Sequence, residues 1–216
     1  EALHGIMPNE DRDAAEIVKQ VMIRDGVTLF CCGKELTIQK TEAGKRLTGG
    51  SHGRAYDITV DEILVGVGRR PNVDGLGLEA AGVEYDKTGV TVNDQLRTTN
   101  PHIYAAGDIC SRYKFTHAAD AMAQIVIQNA LFPHPFGLGT ARVSSLVIPW
   151  ATYTAPEIAH VGLYEAEAKD KGYEVETFTH RLDEVDRAVL DGESEGFAKV
   201  HVEAGTDRIL GATIVA

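Results

Sequence analysis

Apolar residues at helical spacing appear first in residues 11–25. There Ala14, Ile17, Val18, Val21 and Met22 fall on one stripe between Asp11, a suitable N-cap, and Gly26 just past the end. The spacing predicts an amphipathic helix. Residues 27–32 follow as a mostly apolar run and read as a short buried strand, so that a helix feeds a strand as in a parallel α/β sheet. Glycine-rich turns around Gly33, Gly44 and residues 49–53 then separate alternating strands at 36–40, 46–48 and 56–60, an antiparallel hairpin appended to that sheet. Residues 62–68 form a nearly continuous apolar strand ending in Gly66, Val67 and Gly68, and Arg69-Arg70-Pro71-Asn72 stops it abruptly. Glycines at that end let another group approach the backbone or let the chain turn sharply.

A short helix over 76–81, stopped by Gly82, leads to strands at 89–92 and 103–106, the second ending in Gly107-Asp108. A helix over about 117–131, with Thr116 as its candidate cap, is apolar nearly all round, a pattern that predicts burial on several sides. Residues 132–137 break it, and to about Ser145 the composition is that of a linker. Beyond it come a strand at 147–153, a short acidic helix at 165–171 closed by Gly172, and strands at 174–180, 196–203 and 208–215. The last two are joined by the hairpin signal Ala204-Gly205-Thr206-Asp207. This tail predicts an α+β unit with an antiparallel sheet.

With 216 residues the chain holds two domains or pieces of several, and its 44% apolar and 25% charged composition is that of a globular protein. Thirty-two acidic against 21 basic residues give a formal charge of −11, which excludes nonspecific nucleic-acid binding and disfavours anionic lipid surfaces. The longest uncharged run, 121–141, contains Gln124, Gln128, Asn129, Pro133, His134 and Pro135 and is no membrane span. Cys31, Cys32 and Cys110 are too few for a disulfide framework or a tetrahedral zinc site, which favours a reducing, cytoplasmic setting. The chain opens at Glu1 with no methionine and no basic or apolar leader, so no signal peptide is expected and a fragment of a longer protein is.

The strongest constellation for chemistry is the strand at 103–106, the Gly107-Asp108 turn, a short loop and the helix starting near Thr116. In doubly wound sheets ligands bind beyond the carboxyl ends of strands, and a helix N-terminus there offers free N–H groups and partial positive charge. On the residues alone, Asp108 is open between a ligand acceptor and the cap of a turn.

Three ordered motifs carry a resemblance. They are Val65-Gly66-Val67-Gly68-Arg69-Arg70-Pro71-Asn72, the stretch from Leu96 to Asp108 (Leu-Arg-Thr-Thr-Asn-Pro-His-Ile-Tyr-Ala-Ala-Gly-Asp), and Tyr153-Thr154-Ala155-Pro156-Glu157-Ile158-Ala159-His160-Val161-Gly162. Together they resemble the pyridine nucleotide-disulfide oxidoreductases, a flavoprotein family, and within it are most similar to mercuric-reductase-like and dihydrolipoamide-dehydrogenase-like members.

The resemblance implies partial doubly wound FAD- and NAD(P)-binding sheets followed by an α+β antiparallel interface domain. The boundaries it suggests are 1–72 for the end of an NAD(P) domain, 73–145 for a segment of an FAD domain and 146–216 for most of an interface domain. Asp108 then matches the acid that bonds a sugar-side hydroxyl of FAD, and Gly107 lets the cofactor approach. Thr116, His117 and Ala118 match the helix start that faces the flavin pyrimidine. Gly66, Val67, Gly68 and Arg69 match the strand end where the nicotinamide nucleotide is closed over, and residues after about Pro149 match the surface that makes a homodimer. The implied activity passes a hydride from NAD(P)H through FAD to a redox disulfide and a small acceptor.

Departures from the family pattern limit this. No Gly-x-Gly-x-x-Gly occurs, no Cys-x-x-x-x-Cys pair occurs, and the chain ends at Ala216 without a His-Pro-x-x-x-x-Glu segment. This chain alone is therefore expected to retain neither FAD nor NAD(P)H and to be inactive. Two rivals stay open: a same-fold flavin enzyme without a redox disulfide, of the NADH-oxidase or ferredoxin-reductase kind, and a noncatalytic self-associating fragment. Neighbouring side chains on a strand point to opposite faces, so Cys31 and Cys32 are no redox pair; being of a commonly buried type, they read as core thiols, and Cys110 as structural. His117 is open between tuning a flavin and an ordinary polar helix start. Arg69 and Arg70 are open between a nucleotide phosphate and ion pairs. His160 and His180 have no second ligand at metal spacing. Tyr164 stands where the family usually has a Ser or Thr helix cap.

Overall fold

The computed structural model describes residues 5–216. They form two compact units, one made of the chain up to Val65 together with Pro149–Ala216, the other of Gly66–Ile148.

In the first unit, the Asp11 carboxylate accepts the N–H of Asp13 at 2.9 Å and of Ala14 at 3.2 Å, and so caps helix α1 (Arg12–Arg24) as expected. Gly26, at φ +90°, ends it. Residues 27–32 then run as irregular chain and not as a strand, with Val27 exposed. Strands β1 (Lys34–Thr41), β2 (Gly44–Ser51) and β3 (Arg54–Val60) form an antiparallel meander in the order β1-β2-β3, longer than the short strands the pattern suggested. Residues 62–68 form no strand either: Leu64 is 98% and Val67 92% exposed. The reason is common to both segments. A strand exists only as part of a ladder, and no described strand runs beside these apolar runs.

In the second unit the expected helix at 76–81 is reduced to successive turns, with Ala81 N–H on Gly77 O at 3.1 Å and Val83 N–H on Leu78 O at 2.9 Å. Glycines at 75, 77 and 82, all at positive φ, leave too few helical residues between them. A two-stranded ribbon follows, β4 (Tyr85–Asp86) and β5 (Gly89–Val90). Residues 103–106 are tied down by the bridge of Tyr104 to Arg97 and by Ala105 N–H on Leu96 O at 3.1 Å, but make no regular strand. Helix α2 (Thr116–Leu131) includes Thr116 as its first residue, with Phe115 at the N-cap. Its apolar circumference is not covered all round: Ala118, Met122, Ile125 and Asn129 are buried, whereas Leu131 is 74% exposed. The buried stripe packs with Leu96, and Asn129 accepts Ala141 N–H at 2.9 Å while donating to Ala141 O at 2.9 Å.

The chain then returns to the first unit. Strands β6 (Trp150–Thr152), β7 (Ile158–Gly162), β8 (Val175–Arg181), β9 (Phe197–Glu203) and β10 (Ile209–Val215) form one antiparallel sheet in the order β6-β7-β10-β9-β8. Helices α3 (Glu165–Asp170) and α4 (Asp186–Asp191) interrupt it; β7 and α4 were not anticipated. Ile158, Phe197 and Val215 on one sheet face form a core with Ala14 and Val18 of α1. The architecture is thus mixed helix and antiparallel sheet, consistent with the expected α/β part and antiparallel-sheet unit, with every strand pair among the described residues antiparallel. Among the described residues no helix is long and apolar enough to cross a membrane.

Candidate functional site

The unit Gly66–Ile148 gathers most of the residues singled out from sequence. The chain leaves Ala106 in extended geometry and makes one 3-10 turn, Gly107–Ile109. Two glycines make this possible. A Cβ on Gly107, at φ +80°, would lie 3.0 Å from Ala119 Cβ, and one on Gly89, at φ +130°, would lie 2.1 Å from the carbonyl oxygen of Ile109. The turn is therefore pressed between β5 and the first turn of α2.

The start of α2 has no side-chain cap, because Phe115 offers no acceptor. The first helical bond is Ala119 N–H to Phe115 O at 3.0 Å, so the N–H groups of Thr116, His117 and Ala118 precede the ladder. Thr116 and His117 are exposed and Ala118 is fully buried. The imidazole of His117 stacks on the Phe115 ring at 5.5 Å and 7°. N–H groups that precede the helical ladder, with the helix dipole behind them, suit an anionic or electron-rich ligand group.

Asp108 is half exposed, and its nearest cation is Arg69, whose Nη1 lies 3.8 Å from Oδ2. The same Nη1 donates to Lys114 O at 2.7 Å. Lys114 in turn donates through Nζ to Ser111 O at 2.8 Å and to Asp108 O. Two cations thus clamp the 108–114 loop. Arg69 is part of this clamp, which supports the ion-pair alternative for it; Arg70 pairs with Asp74. Gly66, Val67 and Gly68 lead into Arg69 as exposed chain, with Gly68 at φ +105°. Lys114 was missed from sequence because its role is to bond backbone carbonyls, which leaves no residue-type signature.

Cys110 follows the turn, with Sγ 3.6 Å from Gly107 O, and burial pushes its thiol up to about 11, against the weaker opposing pull of Lys114. A thiol so shifted is protonated at neutral pH and is a poor nucleophile. Cys31 and Cys32 are also partly buried. No group of three His, Cys, Asp or Glu side chains among the described residues is arranged to hold a metal.

A second polar cluster, unforeseen from sequence, lies in the first unit. The Glu10 carboxylate accepts from Thr152 Oγ1 at 2.7 Å, Tyr164 OH at 2.9 Å and the Trp150 indole N–H at 3.2 Å. Lys199, 8% exposed, lies 2.8 Å from Asp11 Oδ2 and 2.6 Å from Asp13 Oδ2. Tyr164 does precede α3, but its hydroxyl serves Glu10; the start of α3 is instead stabilised by Glu167, which accepts the Tyr164 N–H at 3.2 Å.

Comparison with known proteins gives a consistent result. A model described as pyridine nucleotide-disulphide oxidoreductase matches residues 1–123, and one for that family's dimerisation domain matches residues 148–216. A mercuric reductase of Staphylococcus aureus is 37% identical over 209 residues, covering 95% of this chain and 37% of that protein. A dihydrolipoyl dehydrogenase of Thermus scotoductus is 34% identical over 218 residues, covering 100% of this chain and 46% of that one. The chain thus spans less than half the length of these curated relatives. Among solved structures, the HOCl-induced flavoprotein disulfide reductase RclA of Escherichia coli matches with a TM-score of 0.82 at 26% identity, covering 100% of this chain and 48% of that one. LpdA of Mycobacterium tuberculosis matches with a TM-score of 0.84 at 27% identity, covering 100% and 45%.

Proposed function

The chain belongs to the pyridine nucleotide-disulphide oxidoreductase family, and from that premise we propose that it is the central and interface part of an FAD-dependent, mercuric-reductase-like enzyme. The observation that carries this reading is the Gly107-Asp108 turn set against the uncapped start of α2. These residues fit a flavin: glycine leaves room at the backbone, Asp108 presents an acceptor for a sugar hydroxyl, and the N–H groups of Thr116, His117 and Ala118 suit a ring edge that gains negative charge on reduction. When bound, FAD would accept a hydride from NAD(P)H and pass two electrons on to a disulfide and a small acceptor. The chain's own part is to orient that cofactor and to hold the 108–114 loop through Arg69 and Lys114. Gly66, Val67 and Gly68 are proposed to flank the nicotinamide nucleotide.

Within this reading residues 1–72 close an NAD(P) domain, 73–145 belong to an FAD domain, and 146–216 form an interface domain that pairs two subunits. The dithiol must come from elsewhere in the longer protein, because Cys31 and Cys32 are adjacent and Cys110 is held as a neutral thiol. If the longer protein has no such pair, the enzyme is of the NADH-oxidase or ferredoxin-reductase kind.

The test is flavin retention in the longer protein. Asp108→Ala is expected to lose about 1.5–3 kcal/mol of cofactor binding, the range for a hydrogen bond to a charged group. The readout is the flavin-to-protein absorbance ratio after dilution. Full flavin content in this variant would return Asp108 to the role of a turn cap. The 216-residue chain, which lacks both glycine-rich turns, is expected to purify colourless.

A further inference from the structure

The sheet face under α1 carries a row of polar groups that flavin chemistry does not use. Trp150, His160, Thr213 and Lys199 stand in register across β6, β7, β10 and β9, and His201 lies two residues along β9 from Lys199. The segment Glu10–Asp13 sits over this row through the bonds of Glu10 and the Lys199 ion pairs. His160 stacks on Tyr164 at 3.7 Å and lies 4.6 Å from the Trp150 ring. Its Nε2 is 3.3 Å from Gly162 O and must donate there, so Nδ1 accepts from Thr213 Oγ1 at 2.8 Å.

His201 is the odd member of the row. It is 2% exposed, its Nδ1 lies 2.8 Å from Thr177 Oγ1, and its buried Nε2 has no partner among the described residues. In the neutral ring with hydrogen on Nδ1, the orphan atom carries only a lone pair; a proton added there would be a buried charged donor with no acceptor, which is far more costly. The groups that act on His201 are Lys199 on its own strand, Glu165 of α3 and Asp11 before α1. Burial dominates and lowers its pKa, Lys199 adds to that, and Glu165 and Asp11 oppose it. His160 is lowered by burial too, against Gly162 O, Glu10 and Glu167, with His201 adding to the lowering.

We propose that this seam is an acid-released latch with His201 as its trigger: with the imidazole neutral, α1 stays seated on the sheet, and a proton on His201 unseats it. A seated imidazole binds its proton more weakly than a released one. The seating free energy is therefore constant above the ordinary imidazole value of 6.5 and falls as pH drops below it. Each such group multiplies the released population by up to about tenfold per pH unit, so the two histidines together give up to about a hundredfold. The Asp11 carboxylate, also lowered, contributes only nearer pH 3.8 and below. This inference is independent of the flavin reading.

Trp150 is the only tryptophan and bonds Glu10 while facing His160, so its emission reports the seam directly. The full chain is titrated from pH 7.5 to 5 while Trp150 emission and hydrogen-exchange protection factors are recorded. Protection of α1 should fall as pH drops from 7 to 5, by up to about tenfold per pH unit for each histidine, together with a change in Trp150 emission, while β9 and β10 keep theirs. His201→Phe, of similar volume, should lose at least half of that pH dependence on a logarithmic scale. Should it lack native circular dichroism at pH 7.5, His201→Gln takes its place. A flat wild-type profile, loss of sheet protection in step with α1, or a folded variant with the wild-type profile would each overturn the latch.

Discussion

Lys199 shows how far one residue can be read from sequence. Asp11 was legible as a helix cap from its neighbours, but its second partner lies 188 positions away and carried no local signal. Burial would raise the Asp11 pKa, yet the Lys199 ammonium and the N–H groups of Ala14 and Asp13 outweigh it, and the carboxyl is held below its usual range. Burial likewise works against the charge of Lys199, and the bonds to Asp11 and Asp13 reverse it, raising its pKa. The lowered acid contributes stability above pH 3.8 that is lost as pH falls through its folded value; the raised base contributes below pH 10.5 and loses that as pH rises through its own. Lys199→Met leaves a buried carboxylate unpaired and is expected to cost about 3–5 kcal/mol, with Asp11→Asn added in the same chain recovering much of it. Urea unfolding at pH 7 checks both. Gly107 is different, because its need is visible in the turn itself. Gly107→Ala, forced to φ +80° and against Ala119, should cost about 1–3 kcal/mol in the same assay.

At the scale of elements, what could be read locally was read well. Helix α1 announced both its ends and its buried stripe, and the hairpin residues 204–207 join β9 to β10 as expected. Val18→Ala, which empties part of the core formed with Ile158 and Val215, is expected to cost about 2–3 kcal/mol by thermal or urea unfolding. The misreadings have one physical source: an apolar run states that a segment wants burial but not which ladder it joins. Residues 27–32 and 62–68 have the composition of central parallel strands, yet no described strand lies beside them. Strand β7 and helix α4, five and six residues long, were not read from the apolar pattern. Amides of residues 62–68, which make no backbone hydrogen bond among the described residues, should exchange within seconds at pH 7 while those of β9 and β10 persist for hours or longer. Protection at 62–68 would mean that this segment finds a strand partner in solution.

For the whole molecule, the family was legible because three motifs lie in sequence order, whereas a candidate assembly surface had to wait for the sheet register. The face of the sheet away from α1 carries an apolar patch, beside Glu176 and His180 of β8: Val161, Ala212, Val200 and Phe178 stand in one row across β7, β10, β9 and β8, with Ile214 in the next. Ile214 is 50% and Phe178 59% exposed, in a unit that matches a dimerisation domain over residues 148–216. Apolar patches of this kind are often association sites, which makes this one the proposed subunit surface; a two-fold interface must be self-complementary, so each substitution acts on both halves at once. Burying one new carboxylate per subunit without a partner opposes association by several kcal/mol. Ile214→Glu is therefore expected to weaken self-association of this chain by at least a hundredfold, because two carboxylates enter each dimer. It should leave the fold of the monomer intact, since the replaced side chain lies outside the core of Ile158, Phe197 and Val215. Sedimentation or light scattering over a range of concentrations would read the change as a shift from dimer to a species of 23.3 kDa. A wild-type chain that stays monomeric at tens of micromolar, or a variant that dimerises as tightly as wild type, would remove this face from the subunit interface.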